Sequence, residues 1–277
     1  QPTLVSAHQV VFNLYEKQLR LQIEFTTNQA AEYTTLQSEN KVFTFKAVRR
    51  YATYASSILN LYDRIYNNYT WLFNVTLESV SAQFFLPDFH TLLTVGGYTP
   101  VFTGGKLGEI NINIFFVRWI NGTIEVIAAH ELIHHFLSQA GLSPNDLLWF
   151  HEGMAQYASI EKIDDLGYEG AKNERERLEG GTSSLPQNFG YYLKIWNPSY
   201  EPTDIGFLYV GAHYAVSELA KMHGGFSYYQ RSFELIRNAT WTIEDKNSIL
   251  AYYLSKAANA SVALTLNQWG FDIADLY

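Results

Sequence analysis

The sequence contains no cysteine. This absence excludes a disulfide framework, catalysis by a thiol and zinc sites that use cysteine ligands. Any metal ion that the chain holds must therefore be bound by histidine, aspartate or glutamate side chains.

Charge is scarce as well. Charged residues make up 17% of the 277 residues, and the net charge is −8. Because no run is rich in lysine or arginine, nucleic acid is not expected as a partner. No apolar run reaches the length of about eighteen residues that crosses a bilayer, so no transmembrane segment is expected.

Hydrophobic and aromatic residues are plentiful, at 47% and 16% of the chain. This composition excludes intrinsic disorder, which is typical of chains with few aromatic residues and high charge. The length suits one large domain or two closely packed lobes.

Several features favour an extracellular or cell-surface location. The chain begins at Gln1 without a signal peptide, so we interpret it as a mature or trimmed form. The excess of Asn-x-Ser/Thr sequons predicts a secreted glycoprotein. These sequons begin at Asn68, Asn74, Asn121, Asn238 and Asn259.

Hydrophobic periodicity predicts an α+β fold. Alternation predicts strands over Thr3 to Leu14, Gln18 to Thr26, Lys41 to Lys46, Thr76 to Leu86 and Gly108 to Ile120, with a helix over Ala47 to Tyr66. Residues 1–120 are therefore expected to form a β-rich lobe with a mixed sheet. Residues 121–277 are expected to form a mainly helical lobe with the metal site, and the two lobes form one catalytic unit. Within the helical lobe, helices are predicted over Thr123 to Ala140, Gly206 to His223, Phe226 to Asn238, Glu244 to Ala258 and Val262 to Trp269, and a long loop over 180–205.

The sharpest motif is His130-Glu131-Leu132-Ile133-His134. Residues four apart lie on one face of a helix, so the two imidazoles can bind one Zn²⁺. Glu131, beside the first histidine, is placed to take a proton from water at the metal. The motif falls inside a helix that the periodicity predicts independently.

A catalytic zinc site needs a third protein ligand, and helix geometry nominates Glu152. Ser143 and Pro144 suit the N-cap and the first turn of a second helix. In an antiparallel hairpin at 1.5 Å per residue, His134 lies about 9 Å from the turn, His130 about 15 Å and Glu152 about 12 Å. The carboxylate of Glu152 is therefore level with the midpoint between the two histidines.

On these residues the chain resembles the gluzincin metallopeptidases, which include thermolysin and the aminopeptidase-N-like enzymes. The matching segments are His130 to His134 and Trp149-Phe150-His151-Glu152-Gly153-Met154-Ala155-Gln156-Tyr157, and similarity at the level of the fold extends from about Val42 to the C-terminus. The resemblance implies zinc-dependent hydrolysis of peptide bonds by a metal-activated water. It implies His130, His134 and Glu152 as ligands and Glu131 as general base, with a peptide or protein as substrate.

The resemblance also implies a downstream tyrosine or histidine that stabilises the oxyanion. The nearest match is Tyr209, in Phe207-Leu208-Tyr209-Val210-Gly211-Ala212, one residue out of register with a Tyr-x-x-Gly setting. Tyr214 is the alternative. The Gly-Ala-Met-Glu-Asn segment of aminopeptidases is missing, and Gly108-Glu109-Ile110-Asn111 stands in about its place. Endopeptidase activity therefore stays open, and an edge of the strand between Gly108 and Phe116 is expected to hold an extended peptide.

Two other functions stay open from the residues. One is a cell-surface binding or structural module in which zinc only stabilises the fold. The intact Glu131 argues against it, because a structural site needs only ligands. The other is a zinc hydrolase that acts on a substrate other than a peptide.

Overall fold

The computed structural model describes residues 31–118, 122–199, 205–239, 241 and 245–277. In these ranges a mixed five-stranded sheet comes first and a mainly helical part follows, which confirms the predicted α+β class. The predicted strands at Thr3 to Leu14 and Gln18 to Thr26 lie outside the described residues.

The sheet has the strand order β1-β2-β3-β5-β4. The central strands β2, β3 and β5 are parallel, whereas β1 pairs antiparallel with β2, and β4 pairs antiparallel with β5. The strands are β1 Tyr33–Gln37, β2 Phe43–Val48, β3 Val80–Phe85, β4 Gly97–Tyr98 and β5 Ile110–Asn113.

Two helices cover the buried face of the sheet. Alternate residues of β2, Phe43 and Phe45 among them, are fully buried, as expected for a strand with one face in the core. The first helix, α1 Ala52–Phe73, places the Tyr62 ring 5.0 Å from the Phe43 ring. The Tyr62 hydroxyl donates a hydrogen bond of 3.2 Å to the carbonyl of Ala128, which belongs to the second helix.

The helices that follow the sheet in sequence form the second part of the chain. They are α2 Thr123–Gln139, α3 Pro144–Asp165, α4 Glu169–Gly181, α5 Phe189–Ile195, α6 Gly206–His223, α7 Gly225–Ile236, α8 Lys246–Ala258 and α9 Val262–Gln268. The predicted boundary near residue 120 falls just before α2. None of the described helices is long and apolar enough to cross a membrane.

The long loop predicted over 180–205 is wrong. A short 3-10 helix, Thr182–Ser184, and helix α5 lie within it. Helix α5 is short, but Phe189 and Leu193 are buried in the core, and tertiary packing of this kind stabilises a helix that its sequence alone does not favour.

The predicted strand at Gly108 to Ile120 is also too long. Strand β5 ends at Asn113, and a 3-10 helix, Ile114–Arg118, follows it. Because β5 has β3 on one side and β4 on the other, its edges are already paired. The strand at this edge of the sheet is therefore β4.

Candidate metal centre

A tight helical hairpin brings the candidate ligands together. Helix α2 ends just before Gly141, whose φ of 88° lies in the left-handed region that glycine adopts without strain. Helix α3 begins with Ser143 as its N-cap, and the Ser143 side chain accepts a hydrogen bond of 3.2 Å from the Asn145 amide. The two helices then run side by side, and Glu152 lies opposite the histidines of α2.

Three side chains form a group that could hold a metal ion. His130 Nε2 lies 3.2 Å from Glu152 Oε2, and His134 Nε2 lies 3.7 Å from Glu152 Oε1. One ligand atom from each residue lies within 4.8 Å of the other two. Tetrahedral zinc with ligand bonds near 2.1 Å has its ligand atoms about 3.4 Å apart. The group therefore fits such an ion after small side-chain movements.

Electrostatics favours a positive charge between these residues. Burial opposes ionisation of Glu152, but its contacts with the imidazoles of His134 and His130, which include a hydrogen bond with His130, hold its pKa below the usual value. For His134 burial dominates and lowers the pKa to about 3, so this imidazole is neutral. A buried carboxylate beside a neutral imidazole is suited to a divalent cation, because metal ligands must be deprotonated.

Glu131 lies in the same cleft and is only 5% exposed. The Thr99 hydroxyl donates a hydrogen bond of 2.9 Å to its Oε2 atom. Burial raises the pKa of Glu131 to about 7, and the charge of His130 and the Thr99 hydrogen bond act in the opposite direction. A carboxylate in this range can take and return a proton near neutral pH.

The strand β4 approaches Glu131 because it carries a glycine. A Cβ atom at Gly97 would lie 3.0 Å from Glu131 Cγ and 3.0 Å from the carbonyl oxygen of Asn111. The sequence contained a signal of this approach, the Gly96-Gly97 pair in a Gly/Thr-rich segment, but neither Gly97 nor Thr99 was identified from it.

The cleft has a volume of about 840 Å³ and is lined by α2, α3, α4, the β4 edge and the start of α6. Tyr209 lines it, and its ring packs edge-on against Trp196 at 5.1 Å. Tyr214 is not among the described lining residues and instead packs between Phe189 and Trp269. The structure therefore brings Tyr209, and not Tyr214, to the cleft that holds the histidines.

The other nearby histidines have structural surroundings. His151 is fully buried, stacks on His134 with ring centroids 5.7 Å apart, and directs Nε2 to the Leu142 carbonyl at 3.2 Å. Burial lowers the pKa of His151 and of His135 to about 4. Neither residue belongs to the group of ligand atoms around Glu152.

Further polar residues of the cleft received no role from the sequence. Among them are Gln156, one turn after Glu152 on α3, and Glu174 and Arg177 on α4. Glu174 and Arg177 lie in a run of charged residues that is typical of a solvated helix, so no local sequence pattern distinguishes them from surface residues.

No family model matches this chain, and no curated protein matches it in a sequence search.

Proposed function

We propose that this protein is a zinc-dependent peptidase of the gluzincin type. In this proposal His130, His134 and Glu152 hold zinc, Glu131 is the general base, and Tyr209 stabilises the oxyanion. The observation that carries the proposal is the set of three converging ligand atoms beside a second buried acid, Glu131, in an open cleft. A purely structural metal site has no use for that additional carboxylate.

Zinc, when bound, supplies a Lewis acid that makes water more acidic and polarises the carbonyl of the substrate. Glu131 takes the proton from the attacking water and returns it to the leaving amine. Thr99 holds one oxygen of Glu131, Oε2, and thereby orients the other oxygen, Oε1, for this transfer. Burial keeps the carboxylate basic enough for the task.

Tyr209 contributes from the other side of the cleft. Its phenol donates a hydrogen bond to the carbonyl oxygen as negative charge develops there. The edge-on contact with Trp196 restricts the movement of the ring. The interaction forms fully only in the transition state, so it raises turnover more than it strengthens substrate binding.

The substrate is a peptide or protein segment that pairs with the edge strand β4. In antiparallel pairs, residues that exchange hydrogen bonds alternate with residues that do not. Asn113 donates its amide to the Gly96 carbonyl at 2.8 Å, so the alternation directs the main-chain groups of Gly97 and Thr99 away from β5. These groups can pair with an extended peptide beside Glu131.

The protein is proposed to act outside the cell or at its surface. Among its sequons, Asn68, Asn238 and Asn259 are exposed, so their side chains are accessible for glycosylation. Mass spectrometry of the protein from its native source tests this, with the attached glycans expected at these positions.

A peptide-library digest tests the enzymatic proposal. The zinc-loaded protein should cleave peptides, a chelator should abolish cleavage, and added zinc should restore it. Glu131→Gln should keep the fold and the metal and lose about 10²- to 10⁴-fold in rate, the usual contribution of general acid–base catalysis. Bound zinc without cleavage of any peptide would favour a structural metal site or a substrate of another class.

A further inference from the structure

The wall of the cleft formed by α4 differs in character from the wall formed by the β4 edge. The α4 wall is one face of the helix, formed by Gly170, Asn173, Glu174 and Arg177. The three side chains on this face, those of Asn173, Glu174 and Arg177, are all polar. On the β4 side the lining is largely apolar, with Leu93, Val95, Tyr98 and Val101 among its members.

The polar wall contains one ion pair. Arg177 donates to Glu174 Oε2 through Nε at 2.9 Å and to Glu174 Oε1 through Nη2 at 2.6 Å. This two-point contact fixes the plane of the carboxylate. The Glu174 side chain is 32% exposed and the Arg177 side chain 57%, so the carboxylate lies deeper than the guanidinium. A carboxylate accepts about four hydrogen bonds, and Arg177 supplies two of them.

A second polar residue, Gln156, lines the same cleft. Gln156 is only 5% exposed, and its Oε1 atom is buried without a hydrogen-bond partner. A buried oxygen in this state is costly unless a donor reaches it. The cleft therefore presents the partly exposed carboxylate of Glu174 as an acceptor, whereas the Gln156 oxygen is enclosed by the protein. The one lysine or arginine among its described lining residues, Arg177, is bonded to Glu174.

We propose that Glu174, oriented by Arg177, is the receptor for a positively charged group of the substrate. The group is an ammonium or guanidinium, and its N–H donors match the acceptor positions of the Glu174 carboxylate that Arg177 does not use. It comes either from the free amino terminus of a peptide or from a lysine or arginine side chain. This specificity rests on the proposed peptidase function, because it assigns the charge to a peptide.

The opposite specificity, an anion bound by Arg177, is disfavoured by charge. Arg177 already shares its donors with Glu174, and an anion at Arg177 would meet the carboxylate of Glu174. The net charge of −8 also favours encounter with cations.

Binding of four alanine-based hexapeptides to the Glu131→Gln variant tests the proposal, with affinities measured by calorimetry. The first peptide is blocked at both ends, the second has a free amino terminus, and the third and fourth are blocked and carry one central lysine or one central glutamate. At least one of the two cationic peptides should bind about five- to tenfold more tightly than the neutral one. The preference should weaken as salt is added. Comparison of the free amino terminus with lysine identifies the source of the charge.

Charge-removing variants locate the receptor. Glu174→Gln should abolish the preference for the cationic peptides. Lys172→Gln, on the exposed side of the same helix, should leave it intact. Arg177→Gln should keep the preference, because the carboxylate remains and loses a competing partner. Tightest binding of the glutamate peptide, or a cation preference that survives Glu174→Gln, would overturn the proposal.

This experiment separates the specificity from the enzymatic activity. Cation-selective binding that depends on Glu174, in a protein that cleaves no peptide, would support the receptor and refute the peptidase. Peptide cleavage by the native chain, with equal binding of all four hexapeptides, would refute the receptor alone.

Discussion

The contact between α3 and α6 at Gly153 gives a quantitative test of how the cleft is held together. A Cβ atom at this position would lie 2.5 Å from the carbonyl oxygen of Ala212 and 2.7 Å from Val216 Cγ2. Contacts under 3.0 Å do not persist, so in Gly153→Ala the backbone of α6 must move by about half an ångström. Tyr209 lies one turn before Ala212 on α6, and Glu152 adjoins Gly153 on α3.

Two opposing terms set the magnitude of this change. Overpacking in a core costs about 1–3 kcal/mol. Replacing glycine by alanine inside a helix contributes about 1 kcal/mol in the other direction. We therefore expect Gly153→Ala to lower the free energy of unfolding by about 1 kcal/mol, which corresponds to a melting temperature about 2 °C lower. Displacement of Tyr209 should reduce kcat about tenfold, because sub-ångström misplacement of catalytic groups is costly.

Urea unfolding followed by tryptophan fluorescence measures the stability, and Gly180→Ala is the matched control. Gly180 also lies in a helix, but a Cβ atom there would meet nothing within 4 Å. Its substitution should stabilise the protein by about 0.5 kcal/mol through helix propensity. If Gly153→Ala stabilises the protein as much as Gly180→Ala does and retains full turnover, the close approach of α3 and α6 is not what positions the cleft.

Three further changes test single contacts. Thr99→Val removes a hydrogen bond that lowers the pKa of Glu131, so the acidic limb of the pH profile of kcat/KM should move to higher pH; an unmoved limb would separate Thr99 from the base. Tyr209→Phe should reduce kcat by about 10²-fold with little change in KM or zinc content, whereas Tyr214→Phe should be near neutral; the reverse result would reassign the oxyanion donor. Burial, aided by nearby cations, lowers the pKa of His213 from 6.5 to about 4. Between these pH values the unfolded chain binds a proton at His213 that the folded chain does not bind, so the free energy of unfolding falls as the pH drops from 6.5 to 4. His213→Gln should remove up to about 3 kcal/mol of this loss, as measured by urea unfolding at several pH values. If the free energy of unfolding of the variant depends on pH as strongly as that of the native chain, His213 is not buried as a neutral imidazole.

Local periodicity predicted the helices of the second part well. Helix α2 was expected over Thr123 to Ala140 and spans Thr123–Gln139, and α6 begins and ends at the predicted residues, Gly206 and His223. The grouping of His130, His134 and Glu152 follows from the same source. Once two helices and the turn between them are known, the rise per residue determines which side chains lie level.

Features that depend on distant parts of the chain were missed. Strand β4 has two residues and exists only through its pairing with β5. Helix α5 depends on packing of the kind seen at Gly190, where a Cβ atom would collide with the ring of Phe271. Thr99 reaches Glu131 across 32 positions of the chain. Turn patterns and helical periodicity cannot predict such contacts, because the two residues of each contact are far apart in the sequence and meet only in the folded protein.

Zinc content tests the proposed metal centre most directly. The purified chain, dialysed against a small excess of Zn²⁺ and then against metal-free buffer, should retain about one zinc ion per molecule by elemental analysis. His134→Ala should lose that ion, and His223→Ala, which removes a histidine outside the cleft, should retain it. Failure of the native chain to retain zinc, or full retention of zinc by His134→Ala, would contradict a metal centre built from His130, His134 and Glu152.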